Sequence, residues 1–335
     1  MLRRWLRSHV GILDACGVLD LAQPWLSGCG LILMFHRVVE PGSLVFDRSL
    51  TIDSESLDQI LSYIRSRAWD IISSNELYER LAGGKRQPRP FVCFTFDDGY
   101  ADNLRVALPI FRRYQAQLCV NVAVGYIDRT SPAWWDVLGE MLSRRDEIRV
   151  SNGGKIEHLK VVTWEEKVSA YHRLGGRIHE EVNRGCSPFG ETWALNGIEP
   201  QDLSDRFFMT WTQLRELALD PLVQIGAHTV THRPLTTLKE NEAGDEIQRS
   251  RQLLEQRLGV KAEHFAYPFG SCGEREFRLI KELKFKTAVT TRWCNVFPVH
   301  QEHLVSLPRK FVCYGDVPVS TMRARLYGED LSFES

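Results

Sequence analysis

The sequence lacks the features that mark several specialised classes of protein. It has 42 basic and 43 acidic residues among 335, so no charge excess favours nucleic acid as a partner. Its eight cysteines form no CxxC pair, and several stand inside apolar runs, a pattern typical of reduced, buried thiols rather than a disulfide framework. The remaining composition, 43% hydrophobic and 25% charged, is that of an ordinary soluble globular protein.

The first 30 residues contain neither an evident secretory signal nor a membrane span. Asp14 and Asp20 interrupt what would be the apolar core of either. We therefore expect a cytoplasmic protein. Apolar residues at helical spacing predict an amphipathic helical segment over residues 1–30. We interpret it as packed on the domain or on another subunit. Peripheral contact with a membrane surface is the alternative, and the oligomeric state is left open.

Short apolar runs alternate with helical patterns along most of the chain, which predicts parallel strands in an α/β fold. The predicted strands are 31–35, 70–73, 91–96, 119–124, 222–227, 264–267 and 287–290. The predicted helices are 54–67, 103–114, 212–219, 239–258 and 274–283. The interval from about 130 to 206 breaks this rhythm, and we interpret it as a helical insertion over one rim of the domain.

Candidate functional groups directly follow four of the predicted strands. LILMF is followed by His36, FVCFTF by Asp97 and Asp98, LVQIGA by His228, and HFAY by Pro268, Phe269 and Gly270. Functional groups gather at the carboxyl ends of strands in barrels and open α/β sheets alike. The sequence therefore predicts one site at this edge, although Asp-Gly is also a common surface turn.

Two histidines and a carboxylate are a sufficient ligand set for a divalent metal ion. His228 and His232 stand four apart in AHTVTH, where the β-branched residues between them disfavour a helix. With one of the adjacent acids they form a three-ligand site that suits zinc and equally other first-row ions. The second acid is then available to take the proton of a metal-bound water, and His36 is the best candidate for a general acid. Each histidine alone would more often be a core residue.

Several motifs resemble those of the NodB-homology polysaccharide deacetylases, carbohydrate esterase family four. TFDDGY, HTVTH and FAYPFG resemble the first three motifs of that family in order. LMFHRV resembles a variant group in which the motif with the catalytic histidine is permuted to the N-terminal side. The resemblance runs from about Leu31 to Leu307. It implies a distorted (β/α) barrel over 31–335, with the insertion at about 130–206, and hydrolysis of an N-acetyl group from an amino sugar.

Carried over by position, the resemblance assigns the roles at the site. It makes Asp97 the general base, His36 the general acid, and the remaining motif residues, Asp98, His228 and His232, the metal ligands.

Other residues are expected to contact the substrate or the oxyanion. These are Phe269, through its backbone amide, and Tyr100, Tyr267, Trp135 and Arg309. Trp134 and Trp135 either stack on a sugar ring or cap the core.

The sequence departs from the family pattern at two places. Ala266 stands where the third motif usually carries an arginine that orients the basic aspartate, and Arg309 in LVSLPRKF is our first candidate to replace it. The late motif with leucine and histidine has no clear match. His300 and His303 are near its position but in a polar context, so we prefer His36 as the acid.

The expected function is therefore metal-dependent N-deacetylation of N-acetylhexosamine units in a glycan, an oligosaccharide or a glycan precursor. The metal is expected to be zinc, with cobalt, nickel or another first-row ion as alternatives. Two other functions stay open. One is a catalytically weak, metal-containing glycan-binding protein, suggested by the missing arginine. The other is an iron facial-triad oxygenase, which would leave Asp97 and His36 without roles.

Overall fold

The computed structural model describes residues 28–67, 69–84, 89–152, 154–184 and 189–313. The amphipathic segment predicted for residues 1–30 lies outside them, except for its last three residues. Among the described residues, no helix combines the length and the apolar character that a membrane crossing requires.

Eight parallel strands form the main sheet. The strands of the described chain are β1 (Gly30–Phe35), β2 (Arg37–Val39), β3 (Thr51–Asp53), β4 (Asp70–Ile72), β5 (Phe91–Asp98), β6 (Leu118–Val122), β7 (Glu147–Asn152), β8 (Lys155–Lys160), β9 (Val223–Ala227), β10 (His264–Ala266), β11 (Thr287–Val289) and β12 (Lys310–Phe311). The sheet order is β11-β10-β9-β6-β5-β1-β12, and β4 pairs with the first half of β5. All seven predicted strands are confirmed, within a few residues at their ends.

Helices pack around this sheet and, in the insertion, over its carboxyl edge. They are α1 (Ser54–Ser66), α2 (Ser74–Ala82), α3 (Leu108–Arg113), α4 (Val124–Ile127), α5 (Trp134–Ser143), α6 (Trp164–Asn183), α7 (Gly190–Leu195), α8 (Pro200–Phe207), α9 (Trp211–Ala218), α10 (Glu240–Leu258) and α11 (Glu274–Glu282). The five predicted helices are confirmed, although the second begins with a π-helical turn, Asn103–Ala107, before α3. The predicted α/β barrel is thus the observed fold.

Alternation along the buried strands separates an outer core from the barrel interior. On β1, Leu31, Leu33 and Phe35 belong to the large cluster that packs under the helices, whereas Ile32 packs with Ala266 inside the barrel. A strand that is buried on both faces reads as a continuous apolar run, which explains LILMF and FVCFTF. Alternation alone would direct the two adjacent acids that end β5 to opposite faces, but Asp98 departs from strand geometry with φ 78°.

A short C-terminal segment connects the two edges of the sheet. Leu307 forms a parallel bridge with Val289 of β11, and Lys310 and Phe311 of β12 pair with β1. The chain between them therefore runs across the gap between the first and last strands. Arg309 lies in this segment, so its side chain starts from the closure of the barrel.

The insertion is a helical unit with its own apolar cluster. It contains α5, α6, α7 and α8 and the antiparallel hairpin of β7 and β8. Its core, which includes Leu138, Leu174 and Ile178, joins the barrel through Tyr100 and Phe208. The rings of these two barrel residues stack at 4.6 Å. The insertion is thus packed over the carboxyl edge of the sheet as one of its walls.

Candidate active site

A cavity of about 290 Å³ lies at the carboxyl edge of the strands. Its lining includes the predicted residues His36, Asp97, Asp98, Trp135, His228, His232, Tyr267, Phe269 and Arg309. These residues are spread over more than 270 positions of the chain. The structure therefore brings together the groups that the sequence placed after separate strands.

Asp98, His228 and His232 form a compact group of three possible metal ligands. One ligand atom from each lies within 4.8 Å of the other two. The Nε2 atoms of His228 and His232 lie 3.6 and 3.3 Å from Oδ1 of Asp98. All three side chains are buried. This convergence uses left-handed backbone at Asp98 (φ 78°) and His232 (φ 58°), a conformation that is unfavourable for residues other than glycine.

The chemistry of these atoms fits a divalent cation. His228 donates its Nδ1 proton to the carbonyl of Ala266 at 2.7 Å, which leaves Nε2 with a lone pair for a metal. Burial lowers the pKa of both histidines, so both imidazoles are neutral. Burial and the charge of Asp97 raise the pKa of Asp98, whose Oδ1 is buried without a hydrogen-bond donor. A bound cation would satisfy that oxygen and stabilise its charge.

Asp97 has a different environment from its neighbour. Arg309 donates to both of its carboxylate oxygens, from Nη1 at 2.9 Å and from Nη2 at 2.7 Å. Asn121 donates to Oδ1 at 2.8 Å. Burial opposes ionisation, but the Arg309 guanidinium outweighs it and holds the pKa of Asp97 well below its usual range. Both acids line the cavity but differ in environment, because Asp97 is paired with the Arg309 guanidinium and Asp98 faces the two histidines of the possible metal site.

The structure places Arg309, the first candidate to replace the missing arginine, beside Asp97. The Arg309 side chain is fully buried, and its Nε donates to the carbonyl of Thr290 at 2.9 Å. Its Nη1 also donates to the hydroxyl of Thr95 at 3.1 Å. Ala266 on β10 leaves the barrel interior open, and a guanidinium from the closing segment occupies the position beside the base.

His36 lines the cavity directly after β1. Burial lowers its pKa to about 4, and the negative charge of Asp97 opposes that shift. His300 and His303, the alternatives, belong to a 3₁₀ turn at Pro298–Glu302 and to its C-terminal end, and neither lines the cavity. The structure therefore brings His36, and neither alternative, to the predicted site.

The other predicted contact residues fall into two groups. Phe269 (φ 57°) places its ring 4.7 Å from the ring of His232, and Trp135 and Tyr267 also line the cavity. Tyr100 does not line it. That residue is completely buried, and its hydroxyl donates to Asp136 and accepts from the indole of Trp135 at 2.8 and 2.7 Å. Tyr100 therefore supports Trp135 and presents no surface to the cavity.

Sequence reasoning did not identify His179 and Asp47 as lining residues. His179 lies on α6 of the insertion, and its ring contacts that of Phe269 at 5.6 Å. It stands four residues after the buried Gly175, which puts it on the inner face of this helix. Helical spacing is the one feature of the sequence that could have indicated this position. Asp47 caps the turn at Arg48–Leu50 and has no motif of its own.

Comparison with known proteins gives consistent matches. The sequence model of the family described as polysaccharide deacetylase matches residues 175–288, a range that contains His228 and His232 but not the Asp-Asp pair. The poly-β-1,6-N-acetyl-D-glucosamine N-deacetylase of Escherichia coli (strain K12) is 22% identical over 208 residues, which are 62% of this chain. The chain spans about a fifth (21%) of the length of that relative.

Solved structures share the fold. The Streptococcus pyogenes deacetylase PplD, in complex with acetate, has a TM-score of 0.58 and 18% identity, over 88% of this chain and 96% of its own. IcaB from Ammonifex degensii has a TM-score of 0.57 and 20% identity, over 91% and 99%. This chain is thus similar to polysaccharide deacetylases in part of its sequence, residues 175–288, and in its fold.

Proposed function

We propose that the chain is a metal-dependent N-deacetylase that hydrolyses the acetamido group of N-acetylhexosamine units in a glycan, an oligosaccharide or a glycan precursor. The arrangement of Asp97 carries this proposal. A buried carboxylate that is kept ionised by Arg309 stands beside the Asp98, His228 and His232 group without being one of its converging atoms. A hydrolytic metal site needs such a base, and a site that only stores a metal does not. The relatives named above carry deacetylase names, which supports the same reaction class.

Asp98, His228 and His232 would hold the metal ion, and zinc suits two imidazoles and one carboxylate. When bound, such an ion polarises the acetyl carbonyl and acidifies a water molecule. Asp97 accepts the proton of the attacking water, and Arg309 and Asn121 hold its carboxylate in place. The backbone N–H of Phe269 is assigned to the oxyanion that forms on the carbonyl carbon.

The leaving amine must receive a proton when the C–N bond breaks. Two imidazoles outside the metal group line the cavity, those of His36 and His179. His36 is assigned to deliver the proton, because it stands at a barrel strand end where the charge of Asp97 acts on it, whereas His179 lies on the insertion. The resting ring is neutral, since burial lowers its pKa to about 4, so it must first take up a proton. The attacking water supplies that proton: Asp97 accepts it, and it reaches the leaving nitrogen through His36. The Asp97 carboxylate favours the protonated ring, so the base and the acid are coupled through their charges. The products are acetate and a free amino group on the sugar.

The two alternative functions lose support from this geometry. The glycan-binding alternative rested on the missing arginine, and Arg309 now stands beside Asp97. An iron oxygenase would need no second carboxylate of this kind. Both remain distinguishable outcomes of the test.

Acetate release is the direct test. Purified protein is stripped of metal, reloaded with zinc, cobalt or nickel, and supplied with N-acetylglucosamine oligomers and activated acetyl esters. We expect release that depends on the metal. Asp97→Asn should keep the metal and lose turnover by about 10²–10⁴-fold, the range of general base catalysis. His228→Ala should lose both. A fully active Asp97→Asn protein would remove the base assignment, and oxygen consumption with iron would favour the oxygenase.

A further inference from the structure

A second and larger cavity, of about 600 Å³, adjoins the catalytic cavity. We call it the insertion cavity, because Trp134, Val182, Trp193 and Ile198 of the insertion form one side of it and Thr231 and His232 form the other. It shares Trp134, Trp135, His232 and Phe269 with the catalytic cavity. A ligand that enters the insertion cavity is therefore separated from the reacting centre only by these side chains.

Two buried donors in the shared wall have no partner among the described residues. They are Nε1 of Trp134 and Nδ1 of His232. His232 directs Nε2 towards Asp98 and His228, so Nδ1 carries the proton of the neutral ring. A buried N–H without an acceptor costs about 1–3 kcal/mol, and metal-ligating histidines almost always have a partner for the second nitrogen. The two donors therefore indicate a ligand that brings oxygen atoms to this wall.

The lining also indicates the class of ligand. Aromatic rings (Trp134, Trp193) alternate with polar groups at the rim, where Glu199, Gln201 and Arg233 are exposed. A pyranose ring presents apolar C–H faces and hydroxyl edges, so it uses both kinds of surface. A lipid chain would leave the donors without acceptors.

We propose that the insertion cavity is a subsite for the sugar ring that neighbours the one losing its acetyl group, and that oxygens of this ring accept from Trp134 and His232. The proposal rests on the proposed deacetylase function and specifies its substrate as an oligomer of at least two sugars. The insertion thereby sets the preference for chain length, while the barrel provides the reaction.

The test compares N-acetylglucosamine with its β-1,4- and β-1,6-linked dimer, trimer and tetramer. We expect kcat/KM for acetate release by the zinc-loaded protein to rise at least tenfold from the single sugar to an oligomer. Ala194→Trp places a large ring in the insertion cavity from an exposed position that does not line the catalytic cavity, and it should remove most of this rise. Ala194→Ser is the matched control and should retain it. Trp134→Phe keeps an aromatic ring but removes the N–H, and it should reduce the rise by about 3–10-fold, the worth of one hydrogen bond.

Binding of the same oligomers to the Asp97→Asn protein, followed by calorimetry, separates this proposal from the proposed function. Length-dependent binding without acetate release by the parent protein would support the subsite and reject the deacetylase. Acetate release with no length dependence, or a rise that survives in Ala194→Trp, would overturn the subsite and leave the deacetylase. Neither binding nor release would overturn both.

A different observation concerns Glu246 on α10. Its carboxylate accepts three hydrogen bonds from the loop between the two metal-ligand histidines, from the backbone N–H groups of Val230 and Thr231 and from the Thr231 hydroxyl, each at 2.8 Å. The loop is strained, because both Thr229 (φ 65°) and His232 adopt left-handed backbone. On its other side the loop is bound by α4, where Gly125 donates to the carbonyl of Val230 at 2.7 Å.

We infer that Glu246 is a positioning residue that fixes the metal-ligand loop and thereby sets metal affinity. Zinc affinity, measured by competition with a chelator, is the readout. Glu246→Ala should weaken it by about 10–100-fold, the usual cost of removing a supporting residue. Glu246→Gln retains an oxygen for the N–H groups and should recover most of the affinity. Asp245→Ala, which removes an exposed acid from the same turn, is the matched control.

Thermal unfolding of the metal-free proteins completes this test. Unchanged zinc affinity in Glu246→Ala, whether or not the midpoint temperature falls, would make the residue purely structural and overturn the inference. Equal weakening in Asp245→Ala would attribute the effect to lost negative charge and overturn it as well.

Discussion

The barrel and the insertion contribute to the same site in different ways. The proposed base, acid and metal ligands stand at the carboxyl ends of barrel strands: Asp97 and Asp98 end β5, His36 follows β1, and His228 and His232 follow β9. The insertion contributes wall residues instead, among them Trp134, Trp135 and His179. Strand ends are held by backbone hydrogen bonds on both sides and by a fully buried core, whereas the helices of the insertion are placed by side-chain contacts, such as those of Tyr100 with Trp135 and Asp136. The reactive groups therefore stand on the rigid barrel strands, and the side chains that would contact the substrate are supplied by the insertion.

Arg309→Met is expected to have the largest effect, because it breaks the barrel side of this comparison. It leaves the buried Asp97 carboxylate without its cation, and removing one partner of a buried pair costs about 3–5 kcal/mol. Turnover should fall with stability, since the pKa of Asp97 would rise and the base would be less ionised. Urea unfolding and acetate release measure the two effects. Arg309→Lys retains a charge but not the two-pronged contact, and it should lie between the parent and Arg309→Met. Full stability of the methionine variant would show that the pair is not as buried as described.

His36→Ala tests the acid that the barrel supplies from β1. We expect hydrolysis of the N-acetyl amide to slow by about 10²–10⁴-fold, because the amine must be protonated as it leaves. An activated acetyl ester, whose leaving group needs little protonation, should be affected far less. His300→Ala is the control, since that residue lies outside the cavity. Equal losses on both substrates would remove the acid role from His36, and a selective amide defect in His300→Ala would move it there.

The barrel side of the site was predictable from sequence for a physical reason. A buried parallel strand is a continuous apolar run, so its end is visible, and the residue that follows it has a known destination. His36, Asp97 and His228 were all found in this way. Arg309 was a first candidate without a supporting pattern, because it follows no predicted strand. It reaches Asp97 from the segment that closes the barrel. Tyr100 was placed at the substrate from its motif, yet its hydroxyl is taken by Trp135 and Asp136. Such partners depend on how the insertion docks, which local pattern does not encode.

Tyr100→Phe tests how the insertion is joined to the barrel. It should leave the Trp135 indole and one Asp136 oxygen without a partner, at a cost of about 1–3 kcal/mol in the free energy of unfolding. Because Trp135 lines both cavities, KM should rise more than kcat falls. The double variant Tyr100→Phe, Asp136→Ala should cost less than the sum of the two single changes, as expected for residues in one network. Strict additivity would contradict the network.

His264 is a second barrel histidine with a depressed pKa, but unlike His36 it does not lie at the carboxyl edge of the sheet. Burial lowers the pKa of His264 to about 4, with Glu263 opposing, as burial does for His36. Its Nδ1 and Nε2 are hydrogen-bonded to Thr287 and Asn75 at 2.8 and 3.1 Å, at the amino end of β10.

The pKa of His264 is depressed in the folded state, so its contribution to stability is fully present above the pKa of the unfolded chain, near 6.5. This contribution is lost as the pH falls towards 4, because the unfolded chain then binds a proton at this histidine that the folded chain does not bind. From pH 7 to 5.5 this loss amounts to about 1 kcal/mol in the free energy of unfolding. His264→Gln should remove that part of the pH dependence of the free energy of unfolding. The pH profile of kcat should stay as in the parent protein. The His36→Ala profile should change instead. If His264→Gln and His36→Ala altered the pH profile of kcat alike, a depressed pKa would identify a functional histidine in this fold, and its position at the end of a strand would not.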